Sequence, residues 1–404
     1  MIRRSQVLIV AARLRAFIFF LLLTTVLFPQ SQQPYFEART HRSEYHGPGR
    51  GEPAPENLTE IRFGYFGPTD LSHSAGGPLW IAAQMAIEEA NRDGGYENIP
   101  FRLLPIWSEN PWGSGISQLA RSIYTDHLWA IVGSIDGPST HLVEQLVAKA
   151  RLTLINPVSS DKTINLANVP WMFSCLPGGH IQAPVLARGI AESAGDASLT
   201  MVSATDHDSR VFVKELRNHL AAVGVALTHH FEVDSLQNEA SLMADQVKAT
   251  RTKVVIIIAD ASVSAHLVKH LRLRHFGGQI FGGPNIGRTE FLLEAGSAAT
   301  GVTFPVLVSL CDAETFIQNY ETRSGTTPDY RAFQTYDAVT LLVAAVRKAG
   351  LNRARIRDAV RELSPWQGVS GQVAWDALGQ NERPVRLATI AKNNQIETLQ
   401  LKSR

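Results

Sequence analysis

Two cysteines in 404 residues, Cys175 and Cys311, are too few for a disulfide framework in a chain of this length. A single bond between them and two buried thiols are both open. Net charge is nearly absent, +1 with histidine neutral, and the first thirty residues hold Arg3, Arg4, Arg13 and Arg15 without an acid. Setting those aside leaves −3, so nothing points to a polyanionic partner, nucleic acid included. Signatures of catalysis are missing as well: the chain has no G-x-S-x-G, no G-x-x-x-x-G-K-[ST] and no H-E-x-x-H. The glycines of FGGPNIG do not follow G-x-G-x-x-G, and a turn between strand and helix is the simpler reading. No apolar run reaches a membrane span. The longest, Ala16 to Phe28, follows basic residues and has the length of an export-signal core. Residues 1–30 therefore read as a signal peptide or a retained anchor, and 31–59, rich in Pro, Gly, His and charge, as a flexible spacer.

What is present is alternation. Hydrophobic residues make up 45% and charged residues 19%, the balance of a globular chain, and the length suits two domains. From Ile61 onward short apolar runs, IRFGYF, FRLLPIW, LWAIVG, LTLIN, LTMVS, VVIIIA and QIFGG, are separated by helical patterns. Strands apolar on both faces with helices between them mean parallel sheets covered by helices, an α/β fold. Around PWMFSCLPGGH the pattern pauses and a second series begins, which marks a boundary near Cys175. GVTFPVLVSLC reads as a segment crossing between domains. In GGPLWIAAQMAIEEANRDGG, Leu79, Trp80, Ala83, Ala86, Ile87 and Ala90 share one helical face, and Gly94 and Gly95 end the helix.

Ligands of doubly wound sheets bind outside the carboxyl ends of the strands. The loops to search are thus GPTDLSHSAGGP, SIDGPST, PVSSDKT, ATDHDSR, DASVS and GPNIG. Their Ser, Thr, Asp and Gly precede helix N-termini, where free N–H groups and hydroxyls can hold an anionic group or simply cap the helix. Trp112, in SENPWGSG, is a candidate aromatic wall, whereas Trp80 belongs to the core stripe. His266 and His270 have a zinc-compatible i, i+4 spacing but lie on a basic helix without an acid between them. They read as a solvated face, and no metal or cofactor is expected. Asp206, His207 and Asp208 form the best polar cluster, without a partner nucleophile, and fit ligand hydrogen bonding or capping.

The order of these segments resembles the type I periplasmic solute-binding proteins of the leucine/isoleucine/valine-binding kind, which serve ABC transporters. The residues that carry the likeness are MAIEEANRDGG, WAIVGSIDGPSTHLVEQLV, LTLINPVSSDKTI, PWMFSCLPGGHIQ, YRAFQTYDAVTLLVAAVRKAG and GVSGQVAWDALGQ, spanning about Ile61 to Ile396. The resemblance implies two doubly wound parallel-sheet lobes joined by three hinge crossings, with lobe one at 60–174 plus 307–368 and lobe two at 175–306 plus 369–404. It implies ligand contacts at Asp136, Gly137, Val158, Ser159 and Ser160 in lobe one, Ser160 standing where the family has a threonine that uses hydroxyl and backbone. Gly137 stands in place of the family's serine and offers only backbone. In lobe two an ammonium-binding acid aligns with Asn285 and a second with Gly179, so Asp136, Asp208 or Asp260 must pair with any desolvated ammonium. Otherwise the ligand is a neutral amide, an aromatic acid or a polyol.

The implied function is that of an extracytoplasmic or periplasmic solute binder, monomeric and not an enzyme. It would close on an amino acid or similar small molecule and present it to the permease subunits of an ABC importer. The rival is a ligand sensor of the same fold that acts through a partner protein.

Overall fold

The computed structural model describes residues 44–195, 197–233, 239–310 and 312–400. The expected signal segment and Cys311 lie outside them. The first series of strands is β1 (Ile61–Phe66), β2 (Phe101–Pro105), β3 (Ala130–Gly133), β4 (Thr153–Asn156) and β5 (Met172–Pro177). The second is β6 (Leu199–Ala204), β7 (Leu227–Val233), β8 (Val254–Ile258), β9 (Gln279–Gly282) and β10 (Val302–Val306). After the helices Glu314–Ser324, Tyr330–Ala349 and Arg353–Glu362 come β11 (Trp366–Gly368), β12 (Gly371–Val373), β13 (Gln380–Asn381), β14 (Arg386–Ile390) and β15 (Ile396–Thr398).

Two α/β lobes result. The first sheet has the order β13-β5-β4-β3-β1-β2 and is parallel throughout. The second runs β15-β14-β10-β9-β8-β6-β7, parallel except for β14 and β15 at one edge. The β2-β1-β3 and β7-β6-β8 orders put a switch in winding direction at the same place in each lobe, and such switch points open a crevice at the strands' carboxyl ends. By sheet membership the chain crosses after Pro177, after Val306, and between Asn381 and Arg386. The first and third crossings are thus later than the 174 and 368 boundaries expected, because β5 and β13 hydrogen-bond in the first sheet.

The helix Gly76–Arg92 lays Leu79, Ala83, Ala86, Ile87 and Ala90 against Ile61, Phe63 and Tyr65. Trp80 is half-buried with its ring 4.9 Å from that of Tyr65. Gly95 closes this helix at φ +64, and a Cβ there would stand 2.2 Å from the Ile99 carbonyl oxygen, so no other residue fits the turn. Helix Tyr330–Ala349 packs between Gly76–Arg92 and Arg353–Glu362 and is buried nearly all round, Asp337 included. Burial pushes the Asp337 carboxyl up to about 6, although the Val369 and Ser370 amides donate to it at 2.8 and 2.9 Å.

GVTFPVLVSLC is not wholly a crossing. Its first half is β10, in which Val302 and Phe304 are buried, and only the residues after Val306 cross. Pro305 is tolerated because β9 pairs with β10 at Val302 and Thr303 only, leaving the proline beyond that ladder. Residues 44–52, inside the stretch expected to be spacer, dock on the first lobe. The Tyr45 ring lies 4.6 Å from that of Trp171, Arg50 pairs with Asp358, and Asn352 Nδ2 donates to the carbonyls of Gly49 and Glu52 at 2.8 and 3.1 Å. Cys175 is buried in β5 as a free thiol.

Candidate functional site

Four of the loops at the strand ends finish in an aspartate that caps the next helix, and three of these aspartates, all but Asp161, line one cavity. Asp136 accepts the Ser139 amide at 2.8 Å, Asp206 the Ser209 amide at 2.9 Å and Asp260 the Val263 amide at 2.8 Å. Capping occupies Oδ1 of each carboxylate. The Oδ2 atoms of these three make no bond to the described residues and remain for a ligand.

These loops converge on a cavity of about 410 Å³ between the lobes. Ser74, Ala75, Ile135, Asp136, Val158 and Ser160 line it from the first lobe, and Asp206, Asp208, Phe212, Asp260, Asn285 and Arg288 from the second, together with Tyr330 and Arg331. Six of the expected residues therefore meet in one chamber: Asp136, Val158, Ser160, Asp208, Asp260 and Asn285. Ser159 does not. It is buried beneath, its amide donating to Asn156 Oδ1 at 2.9 Å. Gly137 stands just outside the lining, where its N–H donates to both oxygens of Asp208 at 3.0 and 3.1 Å. Asn285 faces the cavity with its amide already engaged, donating to the Ala259 carbonyl at 3.0 Å and accepting from Tyr330 at 3.1 Å. Gly179 lies at the crossing, where its N–H donates to the Ser160 carbonyl at 2.7 Å. The Ser160 hydroxyl has no partner among the described residues.

Contacts across the crevice hold the lobes together. Besides Gly137–Asp208, they include His207 Nε2 to Asp161 Oδ2 at 2.7 Å, Lys162 to Glu215 at 2.5 Å, and Arg288 Nη2 to the Ser74 carbonyl at 2.7 Å. This is a closed arrangement. Burial, with Asp136 and Asp161 nearby, raises Asp208 to about 7 against the opposing pull of the Gly137 amide. Burial also works on Asp161, but hydrogen bonds from His141, His207 and Thr163 outweigh it and hold that carboxyl well below the usual range.

Arg331 escaped the sequence reading. It occupies the first turn of the buried helix Tyr330–Ala349, its Nη2 donating to the Ile135 carbonyl at 2.8 Å, while its Nε is buried without a partner. A lone charge at the head of an apolar helix was the available signal. A guanidinium keeps its proton even when burial lowers its pKa, as here. An unfilled donor on a buried cation favours an anionic oxygen from a ligand. Trp112 is 58% exposed and does not reach the cavity. Nor do His266 and His270, whose bonds stay on or beside their own helix.

The model of the periplasmic binding protein family matches residues 60–395. The chain belongs to that family. A curated relative, the "Amino acid binding protein" of Pseudomonas aeruginosa, is 21% identical over 330 residues, which is 80% of this chain and 87% of that protein. Among solved structures, the branched-chain amino acid transporter substrate binding protein of Streptococcus pneumoniae in complex with isoleucine superposes at a TM-score of 0.75. It shares 17% identity and covers 84% of this chain and 99% of its own. A solute binding protein of an R. palustris ABC transporter, in complex with benzoate, gives 0.73 at 16% identity over 85% and 96%. At these identities the structures establish a shared type I fold of two α/β lobes. Within this periplasmic binding protein, the cavity between the lobes has the volume and mixed polarity of a small-molecule site.

Proposed function

We propose that this chain binds an amino acid or related small polar carboxylate between its lobes by hinge closure and delivers it, outside the cytoplasm, to the permease of an ABC importer. The observation that carries the reading is the cavity between the lobes, which brings the guanidinium-bearing Arg331 together with Asp136, Asp208 and Asp260. A carboxylate satisfies the cation, and an ammonium answers the acids, which outnumber the free positive charge. Arg288, the other guanidinium, is already paired with Glu290 and Asp329. Isoleucine and benzoate, held by two of the structural neighbours, have the carboxylate in common. Closure follows from contacts that form only when the lobes meet, so a ligand spanning both shifts the open–closed equilibrium.

Thermal unfolding of the chain against amino acids, amides, urea, aromatic acids and sugars tests this. At a hundredfold its Kd, a ligand adds roughly 2.7 kcal/mol, enough to raise the midpoint visibly. A rise confined to carboxylate-bearing solutes supports the reading. A rise only with sugars or neutral amides contradicts the role given to Arg331.

A further inference from the structure

Beside the solute cavity, and sharing none of its lining residues, three side chains point their coordinating atoms at one spot. His141 is carried by helix Gly137–Ala150, Asp161 by the loop after β4, and His207 by the first residue of helix His207–Ala222 in the other lobe. Asp161 Oδ2 lies 3.3 Å from His141 Nε2 and 2.7 Å from His207 Nε2, and the three atoms fall within 4.8 Å of one another. We propose that His141, Asp161 and His207 bind a single divalent cation of the zinc class that clamps the two lobes in their closed state.

The donor set favours that class. Two imidazoles and a carboxylate, with a fourth position open to water, is a known zinc arrangement, whereas calcium and magnesium take oxygen ligands. Supporting residues hold the ligands in place. Asp161 Oδ1 is occupied by the amide and hydroxyl of Thr163 at 2.8 and 2.7 Å, which leaves Oδ2 to the metal. His141 Nδ1 lies 3.1 Å from Glu144 Oε2, so the carboxylate fixes the tautomer that presents Nε2. Glu144 is itself buried. The Asp161 side chain is fully buried while the two imidazoles reach solvent, giving the ion a route in. Without the cation, hydrogen bonds and protons hold the same groups together. Because His207 comes from the opposite lobe, the ligand set is complete only when the crevice is shut. A cation that prefers the closed form strengthens solute binding, and solute strengthens cation binding to the same degree.

The test is calorimetric titration of the full chain, free of any histidine tag, with Zn²⁺ and Ni²⁺. The expected result is one equivalent bound, with His141→Gln and His207→Gln each weakening it by more than ~10-fold and Glu144→Gln by about tenfold. The double variant His266→Gln/His270→Gln should bind as the parent does. His207 is 43% exposed in its side chain, so His207→Gln keeps the fold, as melting of the metal-free variant will verify. Should His141→Gln fail to fold, His207→Gln alone decides. Three results would overturn the proposal: no stoichiometric binding, binding indifferent to His207→Gln, or binding lost in the His266/His270 variant.

Discussion

Gly137→Ala adds one methyl group at a point where the lobes touch across the crevice. A Cβ there would stand 2.4 Å from Asp208 Oδ1 and 3.0 Å from His207 Cδ2, both in the second lobe. Its third neighbour, Asp161 Oδ2 at 3.2 Å, is in its own lobe and need yield only a few tenths of an ångström. Gly137 is outside the left-handed region, so alanine brings no backbone strain. The methyl therefore costs little while the crevice is open and acts only on closing. To admit it, Asp208 must swing off the Gly137 amide and give up contacts of 3.0 and 3.1 Å. Above pH 7, where Asp208 is mostly ionised, a hydrogen bond to the charged carboxylate contributes ~1.5–3 kcal/mol, which corresponds to a roughly 10- to 100-fold loss of solute affinity. Calorimetric titration reads the affinity, and melting of the solute-free protein reads the fold. The expected outcome is weakened binding with an almost unchanged solute-free midpoint. Affinity within twofold of the parent would refute the argument, as would a fall in the solute-free midpoint large enough to explain the loss.

Arg331→Met removes the buried cation while keeping an apolar stem. We expect a loss of about 10- to 100-fold for a carboxylate ligand and little change for a neutral analogue, measured by calorimetry. Ser160→Ala combined with Asp260→Ser removes a free hydroxyl and a charge but preserves a helix cap, so solute affinity should fall without loss of stability. Unchanged affinity would remove both residues from the site. The Asp337 carboxyl titrates near 6 in the folded chain and near 3.9 unfolded, so the native state binds the extra proton between those values. Stability from this group is thus full below about pH 4 and falls by about 3 kcal/mol as pH rises through 6. Denaturant melts of Asp337→Asn against the parent should show a shallower decline across that window, and parallel curves would contradict the assignment.

Much of the architecture is legible because the strands' apolar runs and the helices' 3.6-residue periodicity depend on local sequence. Where pairing depends on distant partners, legibility fails. β7, LTHHFEV, is an edge strand with an exposed His229, a half-buried His230 and too few apolar residues to stand out. β10 carries a proline that the β9 ladder happens not to need, and β13 is two residues defined only by β5 beside it. The site divides in the same way. Asp136 and Asp260 were findable because ligands meet the carboxyl ends of strands in such folds, and the same positions cap helices, so both roles attach to the same residues. The Gly137–Asp208 contact and the Asp161–His207 pair were not findable, since each depends on elements far apart in the chain coming together across the crevice, and Arg331 left only a charge at the head of a helix as its signal.

Small-angle X-ray scattering on the chain with and without a solute that raises its unfolding midpoint addresses the central claim most directly. Closure on a solute held between the lobes predicts a smaller radius of gyration at saturation in the parent, with the decrease reduced in Gly137→Ala. A solute that stabilises the chain while leaving the radius of both proteins unchanged would place its site elsewhere and contradict the account.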